Sequence, residues 1–316
     1  MKKVPALIAA LAVAGGLSFA AAPAYAAGTL PDTDLLFAIT CDSDPAAFFS
    51  VDPATAVGTL IGTDTTVPGD CGGPAAFDPT TGKSYYISWG ATGQLALMDV
   101  ATGKAIAIGG FAGGNSPYPD SIAIGNDGKA FVISGDQLYS LDLSTAMLTT
   151  VGQLADTCLY GFAVDPTTGT YYAVQCDNGT VYTVDVATAT LAPFGVIDDV
   201  DANNDGDQEI YALQIDSAGV WWIESDGDNN ESHIWSLAAP APTSSSAPSG
   251  IFSVGGAVLY TESLLITRSN IVVKPALADT GRNASVDGTL VAGTSVLLLS
   301  GIGMLFIARR RRSAAN

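Results

Sequence analysis

Apolar residues between positions 35 and 268 come in short runs, and nowhere in that stretch do they sustain a helical period. The runs are rich in β-branched and aromatic residues and are bounded by Gly, Asp, Asn and Pro, which predicts strands. One set of runs ends in Asp and then turns: FFSVDPATA at Asp52, LALMDVATG at Asp99, LYSLDLSTA at Asp142 and VYTVDVATA at Asp185, spaced by 47, 43 and 43 residues. HIWSLAAPA is a degenerate fifth copy, with Ala238 standing 53 residues after Asp185.

Each unit of this repeat supplies four strand-like runs. Run a is PAAF (74–77), SIAI (121–124), GFAV (161–164) and YALQI (211–215). Run b is LLFAI (35–39), SYYIS (84–88), AFVIS (130–134), TYYAV (170–174) and VWWIE (220–224). Run c ends in the aspartates. Run d is GTLIG (58–62), AIAIG (105–109), LTTVG (148–152), LAPFG (191–195) and IFSVG (251–255). Four short strands in a period of 40 to 50 residues are the signature of propeller blades. The first unit lacks run a, and one run, ESLLITR (262–268), is left over after the last d. The chain is therefore expected to be all-β, a single β-propeller over 27–268 with five four-stranded blades. The C-terminal strand closes the ring by joining the first blade. Six blades are the alternative count, and an open β-solenoid is the rival architecture; closure is preferred because it removes the exposed edges. The repeats resemble those of kelch, NHL and quinoprotein-type propellers. That resemblance is architectural and implies a fold, not an activity.

In such a meander the a–b and c–d turns share one face. These turns read DPTTG (78–82 and 165–169), NDG (126–128) and DSAG (216–219), with DPAT, DVATG, DLSTA and DVATA between c and d. Turn geometry alone accounts for these residues: Asp accepts backbone N–H bonds, Pro presets φ, and Gly takes a positive φ. A cation in each blade is the competing reading. The opposite face carries loops of unequal length: TCDSDPAAF (40–48), TDTTVPGDCGGP (63–74), GFAGGNSPYPD (110–120), QLADTCLY (153–160), VIDDVDANNDGDQE (196–209) and ESDGDNNESH (224–233). Unequal loops on a rigid ring are where binding sites form. All four cysteines fall in or beside these loops. Four cysteines admit three pairings, and the strand register selects Cys158–Cys176 and Cys41–Cys71.

The densest acidic stretch lies within the fifth of these loops. Asp201-x-Asn203-x-Asp205-Gly206 fits the opening of a calcium loop, in which alternating oxygen donors wrap a hard cation. The twelfth position is Ala212 instead of a bidentate Glu, and no helices flank the loop, so a complete EF-hand is rejected. The expected ligand set is Asp199, Asp201, Asn203, Asp205, Asp207 and Glu209, completed from the neighbouring loop by Asp226 and Asp228 (Glu231 is a further donor). Two solvated acidic loops without calcium are the equal alternative. Trp221-Trp222 reads as packing before it reads as a sugar platform, and His233 as a surface residue. AAPAPTSSSAPSG (238–250) reads as a flexible connection between strands c and d of the last blade.

The termini carry addresses. Residues 1–26 combine Lys2 and Lys3, an apolar run and Ala24-Tyr25-Ala26, the form of a secretory signal peptide with its helical core. Near the other end, Thr289–Ala308 is 20 residues without a charge, long enough for a transmembrane helix, and Arg309–Arg312 follows as a basic tail. Upstream stand Leu277, Ala278, Asp279, Thr280 and Gly281. This order of pentapeptide, apolar span and basic tail, 277–316, resembles the sorting signal of Gram-positive surface proteins, in its L-A-x-T-G form that of high-GC actinobacteria. The resemblance implies cleavage by a sortase between Thr280 and Gly281 and covalent attachment to cell-wall peptidoglycan. Residues 269–276 form a short tether. A plain membrane anchor is the alternative.

Between Ala27 and Thr280 five basic residues face thirty acidic ones, a net charge near −25. Such a surface repels nucleic acid and suits cations and extracellular solubility. With His233 as the sole histidine, a multi-histidine zinc site is excluded and a Ser-His-Asp hydrolase disfavoured. The expected function is an exported, wall-anchored module that binds an extracellular protein or glycan, with or without Ca²⁺. The alternative is an extracellular hydrolase of glycan or lactone type, with carboxylates or a metal at the propeller mouth. A passive coat protein is the third reading.

Overall fold

The computed structural model describes residues 30–40, 45–63, 72–89, 93–114, 118–198, 210–227, 231–238, 244–245, 247–251, 253–254 and 256–268. Within them the chain forms strands β1 (Asp34–Thr40), β2 (Ala47–Val51) and β3 (Gly58–Thr63). A second group is β4 (Gly72–Asp78), β5 (Lys83–Ser88), β6 (Gln94–Asp99) and β7 (Lys104–Gly110). The third is β8 (Ser121–Ile124), β9 (Ala130–Ser134), β10 (Gln137–Asp142) and β11 (Met147–Gln153). The fourth is β12 (Leu159–Val164), β13 (Tyr171–Gln175), β14 (Thr180–Asp185) and β15 (Thr190–Asp198). The fifth is β16 (Ile210–Ile215), β17 (Trp221–Gly227), β18 (Glu231–Leu237) and β20 (Ala247–Ile251); the two-residue β19 (Ser244–Ser245), which precedes β20 in the chain, pairs in parallel with the end of β15 in the fourth blade. A small ribbon, β21 (Ser253–Val254) and β22 (Ala257–Val258), precedes the last strand, β23 (Thr261–Arg268).

Five four-stranded antiparallel blades result, and β23 completes the first, in the order β23-β1-β2-β3. Asp34 pairs with Arg268, Phe37 with Leu265 and Thr40 with Thr261. The end of the domain is thus hydrogen-bonded to its beginning, and the ring is a closed five-bladed propeller. The innermost strands β4, β8, β12, β16 and β23 touch in that cyclic order around the axis.

The strand doublets explain how the ring packs. Successive residues of a strand point to opposite faces of its sheet, and each blade has a neighbour on both faces. Tyr85 therefore joins the cluster between the second and third blades, whereas Tyr86 joins that between the first and second. Trp221 packs between the fourth and fifth blades and Trp222 between the fifth and first. Both tryptophans are buried, at 3% and 0% exposure, which places them in packing and removes them as a sugar platform. The cluster between the third and fourth blades, with Phe131, Ile133, Leu138 and Phe162, makes the fifth interface. Each buried side chain of this size contributes about 1.5–3 kcal/mol, so an interface with several is not easily opened.

Every outer strand carries the same irregularity. In the first blade Phe48 faces Gly62 but Phe49 faces Leu60, so Ile61 is a bulge. The equivalent bulges fall at Ile108, Val151, Phe194 and Ser249, each followed by glycine. At Gly62 the reason is a close approach. A Cβ there would lie 2.2 Å from the Thr102 carbonyl oxygen in the c–d turn of the next blade.

Three differences from the sequence reading concern the fifth blade. Its outer strand is β20, paired to β18 through His233–Ile251 and Ser236–Ala247, and not residues 251–255. Part of the stretch expected to be a flexible connection is therefore strand; an outermost strand tolerates Pro248 because one edge needs no ladder partner. Second, β17 and β18 stay paired out to Gly227–Glu231, so the predicted loop 224–233 is largely hairpin. Third, His233 is mostly buried, with 14% side-chain exposure, because its ring stacks on Trp235. Among the described residues no helix is long and apolar enough to cross a membrane. The predicted leader at 1–26, the tether at 269–276 and the sorting signal at 277–316 lie outside the described residues.

Candidate functional site

The two faces of the ring differ in what their polar groups do. On the face of the a–b and c–d turns, the repeated aspartates are consumed locally. Asp52, Asp99, Asp142 and Asp185 each accept the backbone N–H two residues on, at 2.8, 3.0, 2.8 and 2.9 Å. The hydroxyls of Thr102, Ser144 and Thr188 add charge-assisted bonds, at 2.8, 2.6 and 2.8 Å, to Asp99, Asp142 and Asp185. These bonds hold the three carboxyls below their ordinary value. The fifth residue of the four Asp-led c–d turns is left-handed: Ala56, Ala146 and Ala189 have φ of 55°, 58° and 55°, and Gly103 66°. In the a–b turns Asp78 and Asp165 hold Thr80 and Thr167 by both N–H and hydroxyl. Asp216 is fully buried and accepts from Ala218 N, Val220 N and Trp222 Nε1 at 2.9, 2.9 and 3.0 Å. Oxygens bound in this way are turn ligands, which favours the turn reading over a cation in each blade.

The axis itself is narrow. Toward the turn face its free volume is about 40 Å³, walled by Ala76, Ala123, Ala163 and Ile266. Gln214 spans it, donating from Nε2 to the Ala75 carbonyl at 3.0 Å, from the fifth blade to the second. No carboxylate lines it among the described residues. At one end Arg268 is half-buried; burial pulls its guanidinium down, while Asp34 and Asp216 work in the opposite sense.

The opposite face carries the candidate site. Cys158 and Cys176 are joined there, with Cα atoms 5.5 Å apart, tying the start of β12 to the end of β13. Cys158 itself is left-handed, at φ 58°. Asp177 lies beside both sulfurs, but sulfurs bonded to one another offer no thiolate, so the trio is not a metal site. Gln175 Oε1 caps the adjoining turn by accepting Asp177 N and Asn178 N at 2.9 Å each. Tyr182 donates to Asp156 at 2.7 Å; that bond, then burial, pushes its phenol up to about 12.

Aromatic side chains lie near the strand ends on this face. Tyr160 and Tyr211, second residues of β12 and β16, stack with centroids 5.5 Å apart at 17°. Trp89 Nε1 donates to the Pro119 carbonyl at 3.0 Å, joining the second blade to the third beside Tyr118, which is 37% exposed. Close by, Asp120 is raised by burial although Gly135 N donates to it at 2.6 Å. In the fifth blade Glu231 sits 3.3 Å from His233 Nε2, and Trp235 Nε1 donates to Ser225 Oγ at 2.7 Å. The sequence reading did not pick out the tyrosine pair or Asp120. Tyr160 and Tyr211 are 51 positions apart, and only the ring makes them neighbours.

Of the predicted site residues, Cys158 and Cys176 are brought together. Asp226 lies in β17 with its backbone opposite Ser232. Cys41, Cys71, Asp199, Asp201, Asn203, Asp205, Asp207, Glu209 and Asp228 lie outside the described residues, as do Leu277, Ala278, Asp279, Thr280 and Gly281.

No protein-family model matches the chain, and no curated protein matches it in sequence. Solved structures resemble it in fold. A chain of the nidogen/laminin complex is 15% identical, with a TM-score of 0.51, over 75% of this chain and 98% of that one. TolB from Acinetobacter baumannii is 14% identical with a TM-score of 0.39, over 66% and 51% of the two chains. A calcium-binding protein, regucalcin, from Agrobacterium tumefaciens is 17% identical with a TM-score of 0.38, over 62% and 65%. The first likeness shows a shared propeller architecture; the other two are too loose to bear on ligand or activity.

Proposed function

We propose that this is an exported surface protein, attached to the cell wall by a sortase after cleavage between Thr280 and Gly281. Its propeller binds an extracellular protein or glycan through the face that bears Cys158–Cys176 and the Tyr160–Tyr211 stack. The observation carrying this reading is the division of labour between the faces. Repeated aspartates on one face are occupied by their own turns, whereas the other face offers aromatic surface, a pinned loop and acidic side chains of varied setting. The acidic stretch 199–209 then adds a calcium-dependent element, with Asp226 and Asp228 as further donors.

A binding module is favoured over a hydrolase by the axis. Gln214 crosses the axis, and the cavity of about 40 Å³ on its turn-face side has no lining carboxylate among the described residues, so that part of the axis gives no room for a substrate between an acid and a base. The test is an array of glycans and extracellular proteins probed with the full-length chain, with and without Ca²⁺. A specific hit lost in the Tyr160→Ala/Tyr211→Ala variant supports the reading; a hit unaffected by that variant, or none in either condition, refutes it. Calcium is tested separately by calorimetry and melting temperature. Neither heat nor a raised melting temperature would remove the calcium element while leaving the binding face standing. Release of the chain from purified walls by a peptidoglycan hydrolase, but not by detergent, tests the attachment.

A further inference from the structure

One blade departs from the repeat on the turn face. Where the second, fourth and fifth blades open the a–b turn with Asp78, Asp165 and Asp216, the third has Gly125, followed by Asn126-Asp127-Gly128-Lys129. The backbone bond that closes the turn is kept: Gly125 N donates to Lys129 O at 2.8 Å, as Asp165 N does to Thr170 O at 2.9 Å. What is lost is the side chain. A Cβ at Gly125 would stand 2.3 Å from the Tyr171 hydroxyl and 2.9 Å from Asp127 Oδ1.

The missing side chain leaves the Tyr171 hydroxyl in a concavity of about 450 Å³ between the third and fourth blades, within the range of small-molecule sites. Phe131 and the Tyr171 ring, edge to face at 5.5 Å, form its apolar floor, and Val186 comes from the c–d turn of the fourth blade. Asn126, Asp127 and Lys129 supply the polar rim. Asn126 is held in place, its Nδ2 donating to Pro166 O at 2.9 Å. Among the described residues nothing hydrogen-bonds the Tyr171 hydroxyl; burial, then the Asp127 charge, pushes its phenol up to about 12, so it stays a neutral donor.

We propose that this concavity is a second binding site, for one or two residues of a neutral saccharide. Three observations select that class. Lys129 Nζ lies 2.6 Å from Asp127 Oδ2, so the rim pair cancels and offers no net charge to an ionic ligand. The strongly acidic chain as a whole repels anions. A ring with hydroxyls on its edge and C–H groups on its faces matches an apolar floor rimmed by phenol, amide, carboxylate and ammonium, which together donate and accept. The site is on the opposite side of the ring from Tyr160 and Tyr211, so it stands or falls independently of the face proposed above.

The test is saturation-transfer NMR on the full-length chain with neutral mono- and disaccharides of hexoses and N-acetylhexosamines, with charged amines and carboxylates alongside. Millimolar binding of at least one neutral sugar is expected. Tyr171→Phe keeps the ring and removes the hydroxyl; it should weaken binding about five- to tenfold with an unchanged melting temperature. Gly125→Asp restores the residue of the other blades and should abolish binding. No transfer to any neutral sugar, transfer only to charged probes, or full affinity in Tyr171→Phe would each overturn the proposal. Full affinity in a folded Gly125→Asp variant would do the same.

Discussion

Substituting Gly62 by Ala tests how the blades interlock. Gly62 follows the bulge at Ile61, and a Cβ there would meet the Thr102 carbonyl oxygen at 2.2 Å and its carbon at 3.2 Å. A carbon–oxygen contact is comfortable near about 3.3 Å, so the overlap is about 1 Å. The turn cannot retreat easily: Thr102 N donates to Asp99 O at 3.2 Å and its hydroxyl to Asp99 Oδ2 at 2.8 Å. Overpacking of this kind costs about 1–3 kcal/mol, set against about 0.4–1 kcal/mol gained by stiffening the unfolded chain. Gly109 is the internal control. It holds the same place in the second blade, but its Cβ would sit 3.6 Å from the Thr145 oxygen, an ordinary contact. Gly62→Ala is therefore expected to destabilise by about 1–2 kcal/mol, and Gly109→Ala to be neutral or stabilising by up to about 1 kcal/mol. In a domain of this size the first should lower the melting temperature by about 2–4 °C. Urea unfolding of both variants, with unchanged m, measures the difference. Equal stability of the two, or a Gly62→Ala variant as stable as the parent, would refute the interlock.

Replacing Cys158 and Cys176 together by Ser opens a link across 18 residues and should cost about 3 kcal/mol, read as a lower melting temperature; no change would mean the bridge restrains nothing. Asp99, Asp142 and Asp185 have depressed folded-state values, so their stabilisation is present above the unfolded value near about 4 and is lost as pH falls through the folded ones. The melting temperature should hold above about pH 5 and drop below about pH 4, and the triple Asp→Asn variant should flatten that drop; an unaltered profile would contradict the assignment. Asp216→Asn keeps the acceptor for Ala218 N and Val220 N but turns an amide N–H₂ toward Trp222 Nε1–H. It should destabilise by about 1–3 kcal/mol in unfolding followed by tryptophan fluorescence, and a neutral result would show that the Trp222 bond is dispensable.

The propeller was legible because ring packing leaves a local trace. A strand between two neighbours buries both faces, so doublets such as Tyr85-Tyr86 and Trp221-Trp222 recur at one place in each unit. The left-over ESLLITR was legible for the same reason, being an inner strand without a blade of its own. The outer strand of the fifth blade was not. Ala247–Ile251 contains Pro, Ser and Gly, and nothing in such a segment distinguishes an edge strand from a loop except its partner, β18. The tyrosine pair was equally hidden. Tyr160 and Tyr211 each look like ordinary residues within an inner strand, and their meeting depends on the ring angle between blades. The glycine after the bulge was visible as the end of a d run in the first four units, but at Gly62 its cause, the turn at Thr102, lies a whole unit away.

The same geometry says where such a chain can change. On the turn face, the c–d turns of the second and fourth blades press on the outer strand of the preceding blade at Gly62 and Gly152, so a substitution there strains two blades at once. On the other face, a residue such as Asp177 can be altered without entering an interblade cluster. Binding specificity is therefore expected to reside on that second face. The exception sharpens the rule. The third blade's a–b turn departs from the repeated Asp, and that departure coincides with a concavity of about 450 Å³ on the turn face. A repeat protein constrained by its own closure reveals its sites where a unit breaks the pattern that closure demands.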